Sequence, residues 1–339
     1  MRLADLTTLR VGGPAARVVT ATTTDELVDA VREIDDADEP LLLVGGGSNL
    51  LVSEAPVAGT VVRIETSGIT VESDDSCGGA NVRVAAGESW DALVAHAVAQ
   101  GWVGVEALSG IPGRVGATPV QNVGAYGQEV ADTIASVRVW DRLGQQVVTV
   151  ANADCHFGYR TSAFKGTDRY VVLDVLFQLR IGTLSAPVRY AALAQGLGVD
   201  AGTRVPLGDA RAAVLDQRRR RGMVLDDADH DTWSAGSFFT NPVLPQAAFA
   251  AIAGDPPSWP APGGVKTSAA WLIERSGFAR GYGLPGPAAL STKHTLAVTN
   301  RGSATADDVL AIARDVRDGV QAAFGVTLEP EPVLVGCTL

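Results

Sequence analysis

Apolar positions along the chain switch period repeatedly, and each switch predicts an element. Leu27, Val28, Val31 and Ile34 recur at helical spacing behind Thr23 and Glu26, a capping-box pair, so a short helix is expected over 24–34. The continuous run Leu41-Leu42-Leu43-Val44 reads as a buried strand that stops in Gly45-Gly46-Gly47-Ser48-Asn49. Strand-like segments continue at 60–64 and 81–86, and Ser89 caps a helix over 90–100 that Gly101 ends. The stretch LSGIPGRVGATPVQNVGAYGQEV, 108–130, keeps neither period and is expected to be ordered loop or short helical turns. A hairpin of VRVW (137–140) and VVTV (147–150) follows, and then a strand over 170–179.

Beyond residue 200 the pattern changes. A helix over 207–219 runs into four arginines, Arg218 to Arg221, before the acidic loop LDDADHD. PPSWPAPGG (256–264) reads as a loop, 268–276 as a helix closed by Gly277, and 294–300 as a strand. Thr305 and Asp308 begin a long helix whose Val309, Ile312, Val316, Val320 and Phe324 share a face, with Gly325 after it. Two unlike halves result. The expected division is 1–200, in two α+β subdomains of about 1–70 and 71–200, followed by 201–339.

Composition narrows what such a chain does. At 339 residues it suits two or three domains, and a formal net charge of -11 argues against broad nucleic-acid or membrane-surface binding. An anionic ligand then needs local cations, for which Arg218–Arg221 are the evident source. Cys77, Cys155 and Cys337 lie far apart with no C-x-x-C pair, so neither a disulfide framework nor a metal site is expected. MRLADLTTLRVGG lacks the apolar core of a signal peptide, and no stretch reaches the length of a membrane span. A cytoplasmic protein is expected, with no obligate protein partner indicated.

Glycine-rich turns raise the question of a nucleotide. VGGGSNLLV follows a strand, but the chain runs on through Leu50-Leu51-Val52 to Pro56 rather than opening a helix, so a Rossmann fingerprint is not met. A P-loop is excluded by the absence of G-K-[ST]. Two glycine loops that expose successive backbone N–H groups suit a pyrophosphate, and Gln121 and Asn122 offer amides to a heterocycle edge. In AGSFFTNPV, Ser237 lies between Gly236 and two phenylalanines. A hydrolytic serine needs a histidine base and an oxyanion hole, and no motif around Ser237 supplies either.

GGGSNLL at 45–51, LSGIPGRVGATPVQNVGAYGQE at 108–129, GYRTSAFK at 158–165, AGSFFTNPV at 235–243 and LEPEP at 328–332 resemble, in order, the motifs of the MurB family of UDP-N-acetylenolpyruvoylglucosamine reductases. The resemblance implies an α+β fold: an FAD-binding domain of the vanillyl-alcohol-oxidase type and a smaller substrate domain. It implies non-covalent FAD held by Gly45, Gly46, Gly47, Ser48, Asn49 and Leu50, and by Ser109, Gly110, Ile111, Pro112, Gly113, Gly116, Ala117, Thr118, Gln121, Asn122, Gly124, Ala125, Tyr126 and Gly127. NADPH is the implied reductant and UDP-N-acetylglucosamine enolpyruvate the substrate, in peptidoglycan synthesis. Ser237 is then the proton donor, Arg160 the cation at the substrate carboxylate, and Glu331 a second polarising group. Tyr190, Arg218, Arg221, Asn241 and Lys266 are implied substrate contacts, Tyr190 as a mobile cover over the uridine. Arg221 stands where the family presents a lysine, and Pro332 where a β-branched residue is expected. Another flavoenzyme of the same fold and a non-catalytic nucleotide-sugar binder are the rival readings.

Overall fold

The computed structural model describes residues 1–75 and 77–339. The chain folds into two units that do not follow the expected cut near residue 200. One comprises Ala16–Gly46 and Ala58–Arg219, and the other Met1–Ala15, Gly47–Val57 and Arg220–Leu339. The reason is a long-range strand pair: Leu50–Val52 lies parallel to Val333–Val335, with Leu51 opposite Leu334, so Gly47–Val57, which begins inside the first glycine loop, is built into the C-terminal fold. Both units mix helix and sheet, as the α+β expectation requires.

In the first unit, the strands Ala15–Ala21, Val57–Ile64 and Leu41–Val44 form a three-stranded sheet in that order. Thr23 caps the helix Thr24–Asp36 with a complete capping box, and Leu27, Val31 and Ile34 bury their side chains with Ala21 and Val62. A six-stranded sheet follows, with Tyr170–Ile181 antiparallel to both Ile134–Asp141 and Gly79–Ala85. Alternate residues Val82, Val84, Val137, Val139, Val175 and Phe177 share a core with Trp90, Leu93, Val94 and Ala97 of the helix Trp90–Gln100. Burying each large side chain of this set contributes about 1.5–3 kcal/mol. The helix ends at Gly101, whose φ of 74° gives the left-handed C-cap expected from its sequence.

In the second unit, Thr305 and Asp308 form a capping box at the start of Ala306–Phe324. Its buried stripe is Val309, Leu310, Ala313, Val316 and Val320; Ile312 and Phe324, expected on that face, are only half-buried beside it. Two further expectations are corrected. The segment 256–264 contains the strand Ser258–Ala261, which pairs with Gly264–Thr267 at a sheet edge, where Pro260 removes no needed ladder bond. The strand expected over 294–300 is reduced to Val298–Asn300, because Ala297 N–H turns back to the His294 carbonyl.

Candidate active site

In the first unit Gly45 and Gly46 meet the second glycine loop, whereas Gly47, Ser48, Asn49 and Leu50 belong to the other unit. A Cβ on Gly46 would lie 2.7 Å from the Gly113 Cα, so only glycine permits this approach of backbone to backbone, while one on Gly45 would crowd the Arg114 side chain at 3.3 Å. Trp90 Nε1–H donates to the Leu108 carbonyl at 3.0 Å and the Gly110 N–H donates to Asp91 at 2.6 Å, tying the second loop to the helix Trp90–Gln100. The same loop lies along 86–90: Trp90 N–H reaches the Gly113 carbonyl, Val115 N–H the Glu88 carbonyl and Gly116 N–H the Ala86 carbonyl.

These bonds commit part of the second loop's amides within the fold, where the sequence suggested successive amides offered to a ligand. The N–H groups of Gly110, Val115, Gly116, Ala117, Thr118 and Asn122 all bond within the fold. Ser109 and Thr118 hydroxyls donate to the Glu106 and Val115 carbonyls. Asn122 is buried, donating to Glu129 and the Gly158 carbonyl and accepting from Ala131 N–H, so its amide braces the loop instead of reading a heterocycle. The loop is thus a rigid wall whose shape, more than its hydrogen-bond donors, is preformed.

Arg160 is built onto that wall. Its backbone is left-handed, φ 54°, and Nη2 donates to the Gly124 carbonyl at 3.0 Å, at the hairpin of Gly124–Ala125 and Gln128–Glu129. Asn122 and Tyr126 share the left-handed conformation, φ 47° and 51°. Such backbones cost about 1–3 kcal/mol each, and persist where the surroundings over-determine them, often at functional sites. Tyr190 precedes the helix Ala191–Leu197 and meets Tyr126 edge to face at 5.3 Å, with 40% of its surface exposed. Arg218 lies on the helix Leu207–Arg220, and the arginine run straddles the division of the chain: Arg218 and Arg219 belong to the first unit, Arg220 and Arg221 to the second.

In the second unit Ser237 and Glu331 lie on neighbouring segments. Phe238 N–H donates to the Leu296 carbonyl at 2.7 Å, its own carbonyl accepts Glu331 N–H at 2.8 Å, and Thr240 N–H reaches Glu329. Ser237 is half-buried after Gly236, φ 76°, while Phe238 and Phe239 are buried in the core, so core packing is what the two rings do. Asn49 Nδ2 donates to the Glu331 carbonyl at 3.2 Å, and Val333 N–H to the Asn49 carbonyl, so Asn49 braces the Glu331 turn. Asn241 Oδ1 accepts Ala269 N–H at 2.9 Å and holds the start of the helix Ala269–Arg275, a structural duty beside its expected substrate contact. Lys266 lies between Val243 and Trp259 in the ladder of Gly264–Thr267.

Full-length likeness accompanies this geometry. Residues 15–149 match the FAD binding domain family and 227–335 the UDP-N-acetylenolpyruvoylglucosamine reductase C-terminal domain. The reductase of Thermobifida fusca is 55% identical over 99% of this chain and 97% of its own length. That of Streptomyces coelicolor is 56% identical over 99% of this chain and 90% of its own. The chain belongs to the UDP-N-acetylenolpyruvoylglucosamine reductase family. The solved reductase of Thermus caldophilus, MurB, overlays with a TM-score of 0.68 at 28% identity, covering 99% of this chain and 97% of that one.

Bare backbone where Gly46 meets Gly113, with a braced loop behind it, suits the close approach of a cofactor, in keeping with the FAD binding domain match over 15–149. Two anchors escaped sequence reading. Asp231, in the acidic loop, is buried and accepts Thr292 N–H and Arg301 Nη1, each at 2.8 Å, steadying the approach to Ser237. Burial alone would raise its pKa; the Thr292 and Ser291 hydrogen bonds and the Arg301 charge outweigh that and hold it below the usual carboxylate value. Asp91 is the second, with Arg211 Nη1 and Nη2 on its two oxygens at 2.7 and 2.9 Å. Burial opposes its charge too, and Arg211, the Gly110 amide and Arg218 prevail, lowering its pKa. Acidic runs and single aspartates give no sign of which carboxylate will be buried. Among the described residues no helix is long and apolar enough to cross a membrane, and no cluster suits a metal ion.

Proposed function

We propose that the chain reduces UDP-N-acetylglucosamine enolpyruvate to UDP-N-acetylmuramate in the cytoplasm, with non-covalent FAD and with NADPH as reductant. Bound FAD supplies hydride transfer to the vinyl carbon. Addition of hydride there leaves negative charge on the carbon bearing the carboxylate, and that carbon takes a proton. Ser237 O–H donates it. A hydroxyl is a weak acid, so it serves only against a strongly basic enolate and where its own alkoxide is stabilised or reprotonated. Arg160 holds the substrate carboxylate, a group its planar guanidinium matches in two parallel bonds. Glu331, protonated or hydrogen-bonded, polarises the enolate; Arg218 and Arg221 take the diphosphate, and Tyr190, Asn241 and Lys266 the remaining contacts.

The observation that carries this chemistry is the Glu331 N–H to Phe238 carbonyl bond, which sets the carboxyl-bearing turn beside the serine loop. The left-handed Arg160 backbone supports the arginine's part. The test is anaerobic spectroscopy of the purified protein. NADPH should bleach a flavin band near its visible maximum, and the enolpyruvyl substrate should restore it. A colourless protein, or a bleached one that substrate leaves bleached, overturns the reading.

A further inference from the structure

Asp91 joins two parts that the reaction uses separately. Its carboxylate accepts the Gly110 N–H at 2.6 Å, where the loop turns at φ 71°, and a bidentate pair from Arg211 at 2.7 and 2.9 Å. Arg211 is largely buried, its side chain 17% exposed, and lies seven positions before Arg218 on the helix Leu207–Arg220, hence on the same face. The positive charge of Arg218 also acts on Asp91. On the loop side, Trp90 Nε1–H fixes the Leu108 carbonyl two residues away from Gly110. A planar guanidinium gripping both oxygens leaves the helix little freedom to rotate about its axis or slide along it, which a single-point contact would not prevent.

We infer that Asp91 is a positioning residue that locks the Gly110 turn of the cofactor loop to the helix bearing Arg218, so that one carboxylate sets both the flavin wall and the diphosphate cation. This rests on the proposed roles of the 108–127 loop and of Arg218. The two arms separate chemically. Asparagine keeps an oxygen for the Gly110 N–H and loses the charge that holds Arg211; alanine loses both.

The experiment uses the full-length flavoprotein and two readouts: FAD dissociation constant by fluorescence, and kcat and KM with the enolpyruvyl substrate. Asp91→Ala should weaken FAD ~10-fold, the scale of a lost charge-assisted hydrogen bond, and raise KM ~3–10-fold, less because the pair is partly exposed, with kcat within about twofold. Asp91→Asn and Arg211→Ala should each raise KM alike while leaving FAD affinity within about twofold. Their double variant should be no worse than either single one, since both remove one interaction. Equal loss of FAD in Arg211→Ala and Asp91→Ala, or additive KM effects, overturns the inference, as does an Asp91→Ala variant with both constants unchanged. Arg218→Ala distinguishes failure of the underlying reading: unchanged KM there removes the diphosphate role and the helix arm with it, whereas a raised KM beside silent Asp91 variants overturns the lock alone. Should Asp91→Ala not fold, the milder Asp91→Asn and Arg211→Ala comparison still decides.

Discussion

Ser237, Glu331 and Arg160 were each legible as motif residues, but what supports them was not. The Glu331 turn is braced by Asn49, 282 positions away, and the serine loop by Asp231 through Thr292 and Arg301. Replacing Ser237 by Ala touches neither glycine loop, so FAD content and bleaching by NADPH should persist while reoxidation by substrate falls ~10²–10⁴-fold, the range for loss of a positioned general acid. Stopped-flow traces of the two half-reactions check this; wild-type reoxidation would make Ser237 structural. Gly46→Ala tests the loop contact at the same scale. Its Cβ would lie 2.7 Å from the Gly113 Cα, backbone that has no side chain to swing away, so FAD occupancy should drop sharply after purification and full occupancy would show the loops can part.

At the scale of elements, caps and turns were the most legible features, because their bonds close within three or four residues. Thr23, Ser89 and Thr305 all cap helices as their sequences indicate. The strand Ser258–Ala261 was hidden because its proline is acceptable only at an edge, and edge position is decided by which strands come together. The hairpin of Ile134–Asp141 and Gln146–Ala151 carries a pH-dependent tie: Arg169 Nε and Nη2 donate to Asp141 at 2.8 and 2.6 Å. Those hydrogen bonds, against the cost of burial and helped by turn amides, bring the Asp141 pKa down to about 2. A folded value below the unfolded one, about 4, means that the contribution is complete above pH 4 and is lost as pH falls toward 2. Arg169→Ala should therefore melt below wild type at neutral pH, with the gap narrowing from pH 4 to pH 2; a gap independent of pH would dissociate Asp141 from the effect.

For the whole molecule, the division of the chain predicts how it can be cut. A fragment beginning at 201 lacks Leu9, Val11 and Leu51, all fully buried in the C-terminal core, and the strand Leu50–Val52 that pairs with Val333–Val335. It should show little cooperative melting by circular dichroism, and a sharp transition would show that the first 57 residues are dispensable to it. Acid precipitation of the holoprotein should leave FAD in the supernatant, since neither glycine loop has a His or Cys for attachment; a yellow pellet would show a covalent bond. The sequence by itself determined five of the helices with the caps at Thr23, Ser89 and Thr305, the hairpin, the left-handed glycine stops at Gly101 and Gly325 and the ordered motifs that mark the family, because these depend on contacts between near neighbours or on residue identity alone; the helices Ala191–Leu197 and Gln246–Ala250 were not among them. Only the tertiary structure decided that Gly47–Val57 joins the C-terminal unit, that Asn122 is spent as a brace, and that Asp91 faces both Gly110 and Arg211. Those outcomes depend on which segments meet, and hydrogen bonds such as Gly110 to Asp91, 19 positions apart, or Arg211 to Asp91, 120 apart, leave no period or spacing in the chain that makes them.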